Sequence, residues 1–184
     1  MRCAFFKFGR EYFRRDSTGA FSYTTYESSH SDCPIGTQYA VSQRNAGGSE
    51  QLVCFDVLGR DILNTKPLFD GSWVAVASEY DQYNRLKHKS NPYPLGTSPM
   101  DWTTMHYDTL GRVTLINHPI DPEHPSQSVS SNIFDGFTAK STNRKGQLVT
   151  QIKNAYDEVV STEDALGSLV YNDYDSTGNL LSVT

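Results

Sequence analysis

The stretch Glu79-Tyr80-Asp81-Gln82-Tyr83-Asn84-Arg85-Leu86 decides the fold, because it does not occur alone. It returns as His106-Tyr107-Asp108-Thr109-Leu110-Gly111-Arg112-Val113. An earlier copy is Cys54-Phe55-Asp56-Val57-Leu58-Gly59-Arg60, and a later one is Asp173-Tyr174-Asp175-Ser176-Thr177-Gly178-Asn179-Leu180. The shared pattern is an aromatic, an aspartate, two variable residues, Gly or Asn, then Arg or Asn. A unit that recurs within one chain fixes the architecture before anything else does.

Asp-x-x-Gly is the chemistry of a type I turn. The aspartate accepts hydrogen bonds from the backbone N–H groups that follow it, and the fourth residue takes the left-handed conformation that returns the chain to a strand. Asn84 replaces Gly in one copy, and Asn is the residue that next best tolerates that conformation. Such a turn sets Asp56 opposite Arg60, Asp81 opposite Arg85 and Asp108 opposite Arg112. On the other face it sets Tyr80 opposite Leu86, Tyr107 opposite Val113 and Tyr174 opposite Leu180. Phe55 would meet Asp61, so the first hairpin is expected to be imperfect or shifted by one residue. The ion pairs are expected to be exposed and to add little. One hairpin is not stable alone, so the hairpins must lie side by side and share a buried face.

The rest of the chain agrees with an all-β reading. Aromatics make up 12 % of its 184 residues, with 11 Tyr and 9 Phe, and these favour strands. Thr37–Ser42, Leu52–Phe55, Ile62–Lys66 and Trp73–Tyr80 read as strands, with turns at Asn45–Gly48 and Phe69–Gly71. Residues 1–30 carry aromatic runs around Asp16-Ser17-Thr18-Gly19, which reads as a hairpin. The proline-bearing stretches 90–102 and 117–131 read as irregular. Asn143-Arg144-Lys145-Gly146-Gln147 and Asp164-Ala165-Leu166-Gly167-Ser168 are degenerate copies without the aromatic. The organisation is therefore a β-rich segment over 1–50 and a repeat region over 51–184. Its copies fall near 54–60, 79–86, 106–113, 142–148, 163–169 and 173–181. No amphipathic helix is apparent.

A net charge of −5 gives no basic footprint for nucleic acid. No apolar run reaches the roughly 20 residues of a membrane helix, and Met1–Lys7 does not read as a secretory signal. Cys3, Cys33 and Cys54 have neither a metal-knuckle spacing nor a dense disulfide framework. They read as unpaired or buried thiols, with a Cys33–Cys54 bridge left open for an oxidising compartment.

These residues resemble the Rhs/YD-repeat family: bacterial polymorphic toxins, the B and C components of insecticidal toxin complexes, and teneurins. The carriers are Phe55, Asp56, Gly59 and Arg60; Tyr80, Asp81, Asn84 and Arg85; Tyr107, Asp108, Gly111 and Arg112; Asp164 and Gly167; and Tyr174, Asp175 and Gly178. The resemblance covers about residues 50–184. It implies consecutive antiparallel hairpins in a curved, spiralling sheet, an open segment of a hollow β-shell that encloses a toxin. The Asp-Pro-x-Gly-containing core motif that closes the family's shell is absent, as are a delivery domain and a toxin domain. The resemblance thus implies a fragment of a larger protein, a truncated, split or excised reading frame. Its partners would be the remainder of that polypeptide or a toxin cargo. It would be secreted or at the cell surface as part of its parent.

No catalytic residue, metal site or cofactor is assigned. The Asp/Arg pairs sit at turns and read as structural. His118, Asp121, Glu123 and His124 could be metal ligands, but their prolines mark a solvated loop. Asp173, Asp175, Thr177 and Gly178 mimic the start of a calcium loop, yet Thr184 stands where a bidentate Glu is needed. Trp73, Tyr93, Trp102 and Tyr107 could stack on sugars, though such residues more often pack strands. The expected function is a non-enzymatic segment of shell wall that encapsulates or presents a toxin. The alternative is a module that binds carbohydrate or a cell surface. A third reading, an enzyme with its site in loop 117–131, has little support.

Overall fold

The computed structural model describes residues 2–5, 11–15, 17–48 and 50–184, with side chains from residue 12 onward. The described residues form antiparallel strands joined by tight turns, with no α-helix and one short 3₁₀ turn at Pro125–Gln127. The all-β reading of the sequence is what the structure shows. Contacts divide the chain into two units, 1–102 and 103–184. The motif boundary near residue 50 concerns sequence recurrence and falls inside the first unit.

The first unit runs through β1 (Arg2–Phe5), β2 (Glu11–Arg15), β3 (Phe21–Glu27), β4 (Tyr39–Asn45), β5 (Glu50–Phe55), β6 (Asp61–Pro67), β7 (Trp73–Tyr80), β8 (Leu86–Ser90) and β9 (Tyr93–Pro94). Each strand from β1 to β7 pairs with its successor. The expected N-terminal hairpin is β2–β3; its turn includes Gly19 at φ 91°, while Asp16 lies outside the described residues. β7 also pairs with β9. The interruption between β8 and β9 falls at Ser90-Asn91-Pro92, and buried Ser90 bridges it: its Oγ accepts the Ala77 N–H at 2.9 Å. Pro94 thus occupies a two-residue strand inside a stretch that the sequence marks as irregular.

Register explains where the core lies. Ala40, Cys54, Leu63 and Ala77 form one row across β4–β7; Ser42, Leu52, Thr65 and Ala75 form the next on the same face. Apart from Leu52 and Leu63 these side chains are small, so the segments before β4 and after β8 can approach closely. Cys33, Tyr93 and Leu95 from those segments pack on the buried cluster of Ala40, Leu52, Cys54, Leu63 and Ala75. Both segments turn through Pro-x-Gly-Thr, Pro34–Thr37 and Pro94–Thr97. In each, the proline C=O accepts the threonine N–H and its Oγ1–H, the latter at 2.7 Å.

Cys33 and Cys54 form a disulfide across a sequence separation of 21. This corrects the reading of unpaired thiols. Linear spacing says little about a bridge between a connecting segment and a strand, because the fold alone brings their Cα atoms to 5.8 Å.

The second unit takes in β10 (Trp102–Tyr107) from its second residue on, then β11 (Val113–Asn117), β12 (Val129–Asp135), β13 (Thr138–Thr142), β14 (Leu148–Lys153), β15 (Val159–Glu163), β16 (Leu169–Tyr174) and β17 (Leu180–Val183). Each again pairs with its successor. Ser161 is its only buried residue among the described ones. Ile133, Ile152, Leu169 and Tyr171 share one face by register and are largely exposed.

Candidate functional site

The repeated turn is the feature from which any function must be built. In the first copy the Asp56 N–H donates to the Arg60 C=O at 3.0 Å, and the Gly59 N–H donates to the Asp56 C=O at 3.0 Å. Asp56 Oδ1 accepts the N–H groups of Leu58 and Arg60, while Oδ2 accepts Arg60 Nε–H at 2.6 Å. Asp81 and Asp108 repeat this network with Arg85 and Arg112. Each carboxylate therefore closes the turn and holds the guanidinium across it. Asn84 sits at φ 67°, the left-handed position expected of it, where Gly59 has φ 75°.

The expected cross-strand pairs are present: Tyr80 with Leu86, Tyr107 with Val113, Tyr174 with Leu180, and Phe55 with Asp61. In all four the register shifts by one residue beside the aromatic, the mark of a bulge that strengthens local twist. Phe55 stacks instead on Tyr39 of β4, with centroids 4.8 Å apart. The first clasp is less exposed than the sequence suggested, with Asp56 only 8 % exposed.

Neighbouring hairpins are tied through the same residues. Arg60 lies over the ring of Tyr80 at 4.5 Å and donates to Asn84 Oδ1 at 2.9 Å. Tyr80 Oη–H donates to Asp61 Oδ1. Burial, and then this bond, push the Tyr80 hydroxyl up to about 12. In the second unit Arg112 lies over Phe134 at 4.2 Å, and Tyr174 Oη–H donates to the Val159 C=O. Arg60 and Arg112, each the last residue of its turn, thus make cation–π contacts with an aromatic of the next hairpin, whereas Arg85 lies over Tyr83 of its own turn.

Asp164 and Asp175 cap their turns in the same way, with Ser168 and Asn179 in the arginine place. Asn143 and Gln147 do so in the remaining degenerate copy. One copy escaped the sequence reading: Asn154-Ala155-Tyr156-Asp157-Glu158. Asn154 caps it, Asp157 takes the left-handed place at φ 66°, and Asn154 Nδ2–H donates to Glu158 Oε2. The signal was Asn four residues before a residue able to clasp it, hidden by an Asp where Gly was sought.

The turn carboxylates are expected to contribute to acid stability. At Asp56 burial alone would raise the pKa, but the Arg60 and Leu58 hydrogen bonds outweigh it and hold the group low. Asp81 and Asp108 follow the same balance. Asp164 is lowered by the Ser168 and Leu166 N–H groups, and Asp175 by Asn179 and Thr177. A carboxyl that ionises more readily when folded stabilises fully above its ordinary value of 3.8. That stability is lost as pH falls through the lower folded values. The urea midpoint is therefore expected to hold between about pH 5 and 7 and to drop steeply below about pH 4. A midpoint already falling at pH 6 would place the acid sensitivity elsewhere.

The other candidates do not converge. His118 Nε2 meets Ser130 Oγ at 3.1 Å, whereas His124 Nδ1 lies 3.3 Å from Asp121 Oδ2. Among the described residues no three His, Cys, Asp or Glu side chains gather as a metal site. Asp173 Oδ2 accepts from Ser182 Oγ, while Asp175 is spent on its turn. Tyr93 packs on the core and Trp102 meets His88 edge-on at 6.1 Å. Tyr107 belongs to the second unit.

No protein-family model and no curated protein sequence matches the chain. Solved structures do. The chain is similar over 88 % of its length to the crystal structure of TcdB2-TccC3, with TM-score 0.63 and 13 % identity. The same pair without its hypervariable C-terminal region matches 89 % of the chain at TM-score 0.58 and 14 % identity. A Photorhabdus luminescens Tc holotoxin pore carrying mutated TccC3 matches 89 % at TM-score 0.57 and 12 % identity. In each case the chain spans 10 % of the matched chain. The likeness is one of fold: the hairpins built on these clasped turns have the architecture of a stretch of a Tc toxin chain.

Proposed function

We propose that the chain is a non-enzymatic segment of shell wall in a longer Rhs/YD-repeat polypeptide, which encapsulates or presents a toxin for delivery. The observation that carries this reading is the fold match over 88 % of the chain to a Tc toxin chain of which it spans 10 %. The clasped turns supply the physical sense. The hairpins close themselves with a carboxylate or amide cap, and Arg60 and Arg112 grip an aromatic of the next hairpin, so the strip extends by repetition. The exposed apolar residues of the second unit, Ile133, Ile152, Leu169 and Tyr171, suit a surface that further protein covers. The parent would be secreted or displayed at the cell surface. Among the described residues no helix is long and apolar enough to cross a membrane.

The test is to express the reading frame together with its flanking in-frame DNA and image the product by electron cryomicroscopy. A hollow particle with residues 51–184 in its wall is expected. A solid β-domain without an internal cavity, or one with substrate turnover of its own, would overturn the proposal.

A further inference from the structure

We infer that the exposed sheet face of the second unit is an interface with a second copy of this chain, two such faces stacking about a two-fold axis that runs along β14. In one register row Ile133, Lys140, Thr150, Glu163 and Leu169 lie side by side across β12–β16. The next row on the same face holds Asp135, Thr138, Ile152, Ser161 and Tyr171. Its large apolar members are uncovered: Ile133 is 61 % exposed, Ile152 45 %, Leu169 51 % and Tyr171 50 %. Lys140 and Glu163 are exposed as well, and neither forms an ion pair among the described residues.

The first row has the same outline from either end: apolar, charged, Thr150, charged, apolar. β13 and β15 flank β14 directly, and β12 and β16 lie one strand further out on each side. A two-fold axis along β14, between two stacked sheets, reverses strand order and keeps strand direction. It therefore sets Lys140 against Glu163 of the second copy, and Glu163 against that copy's Lys140. Ile133 meets Leu169, Ile152 meets its own counterpart, and the Tyr171 hydroxyl comes opposite the Asp135 carboxylate, to which it can donate. Sheets packed face to face stand about 10 Å apart with their strands within about 30° of one another, so opposed side chains meet without disturbing either sheet. A two-fold interface requires this self-complementarity. An unrelated surface has no reason to match both charges and both apolar ends at once. The contact spans five strands, about 20 Å across, which is the scale of a weak, reversible dimer. Such pairing does not depend on whether the chain belongs to a shell wall.

The experiment is sedimentation velocity of the full chain over a concentration series. A reversible monomer–dimer equilibrium in the micromolar range is expected. Ile152→Glu brings two carboxylates together on the axis and is expected to weaken the dimer about a hundredfold. Val170→Glu, on the opposite face of β16, is expected to leave it unchanged. Lys140→Glu and Glu163→Lys, both at exposed positions, each set like charges opposite one another at the two symmetric contacts. Each is expected to weaken the dimer about tenfold. An equimolar mixture of these two variants regains both opposite-charge contacts in the mixed dimer, so its affinity is expected to return to that of the unaltered chain. Circular dichroism checks that every variant keeps its β-sheet. A chain that stays monomeric at every concentration, an assembly larger than a dimer, or a dimer indifferent to Ile152→Glu overturns the proposal. So does a mixture that associates no more tightly than its components, since Lys140 and Glu163 would then not meet across copies.

Discussion

Reduction of the Cys33–Cys54 disulfide is expected to lower the unfolding free energy by about 3 kcal/mol. The loop it closes, with a sequence separation of 21, sets that scale through the chain entropy the bridge removes from the unfolded state. The native state loses as well. Cys54 is fully buried in the core cluster, and Cys33 is how the segment before β4 is held against it. Urea unfolding with and without a thiol-free phosphine reductant measures the difference. Cys33→Ala combined with Cys54→Ala should reproduce most of it. An unchanged midpoint after verified reduction would show that packing of the segment suffices without the bridge. A bridge of this kind forms in oxidising compartments, which agrees with the secreted or surface-displayed parent proposed above.

The second large effect is expected at Asp56. Replacing it with Ala removes acceptors for two backbone N–H groups and leaves Arg60 facing a low-dielectric surface without its partner. A loss of about 2–3 kcal/mol is expected. Asp108→Ala removes the same bonds, but Arg112 is more exposed, its side chain 44 % accessible against 23 % for Arg60. Water can solvate it, so a loss of about 1 kcal/mol is expected there. Chemical denaturation of both variants gives the comparison. Equal losses would mean that turn closure, common to both, dominates and that burial of the ion pair contributes nothing. Asp56→Asn separates these contributions further: Oδ1 keeps the cap to the Leu58 and Arg60 N–H groups, while an NH2 donor replaces the Oδ2 that accepts Arg60 Nε–H, so the clasp is lost and the cap kept.

The turns and the pairs across them were legible because their causes are local. An aspartate, a residue that accepts positive φ, and the chain between them determine one geometry wherever they occur. For the same reason the sequence alone places Tyr80 opposite Leu86 and Phe55 opposite Asp61. The copy at Asn154–Glu158 was hidden because its chemistry is reversed. Amide and carboxylate replace carboxylate and guanidinium, and Asp157 stands where Gly was expected. The contacts between hairpins were not legible. Arg60 over Tyr80 and Arg112 over Phe134 depend on strand order and on the register shift beside each aromatic.

By itself the sequence determined an all-β chain of self-closing hairpins, since period-two alternation and turn chemistry act within a few residues. Tertiary structure decided which residues became a core and which cysteines met. Small side chains at Ala40, Cys54 and Ala75 carry no signal of their own. They become a core only because two rows of register leave a shallow face on which distant connecting segments settle. Long-range approach of that kind is governed by register and excluded volume summed over many strands, and no single stretch of the chain encodes it.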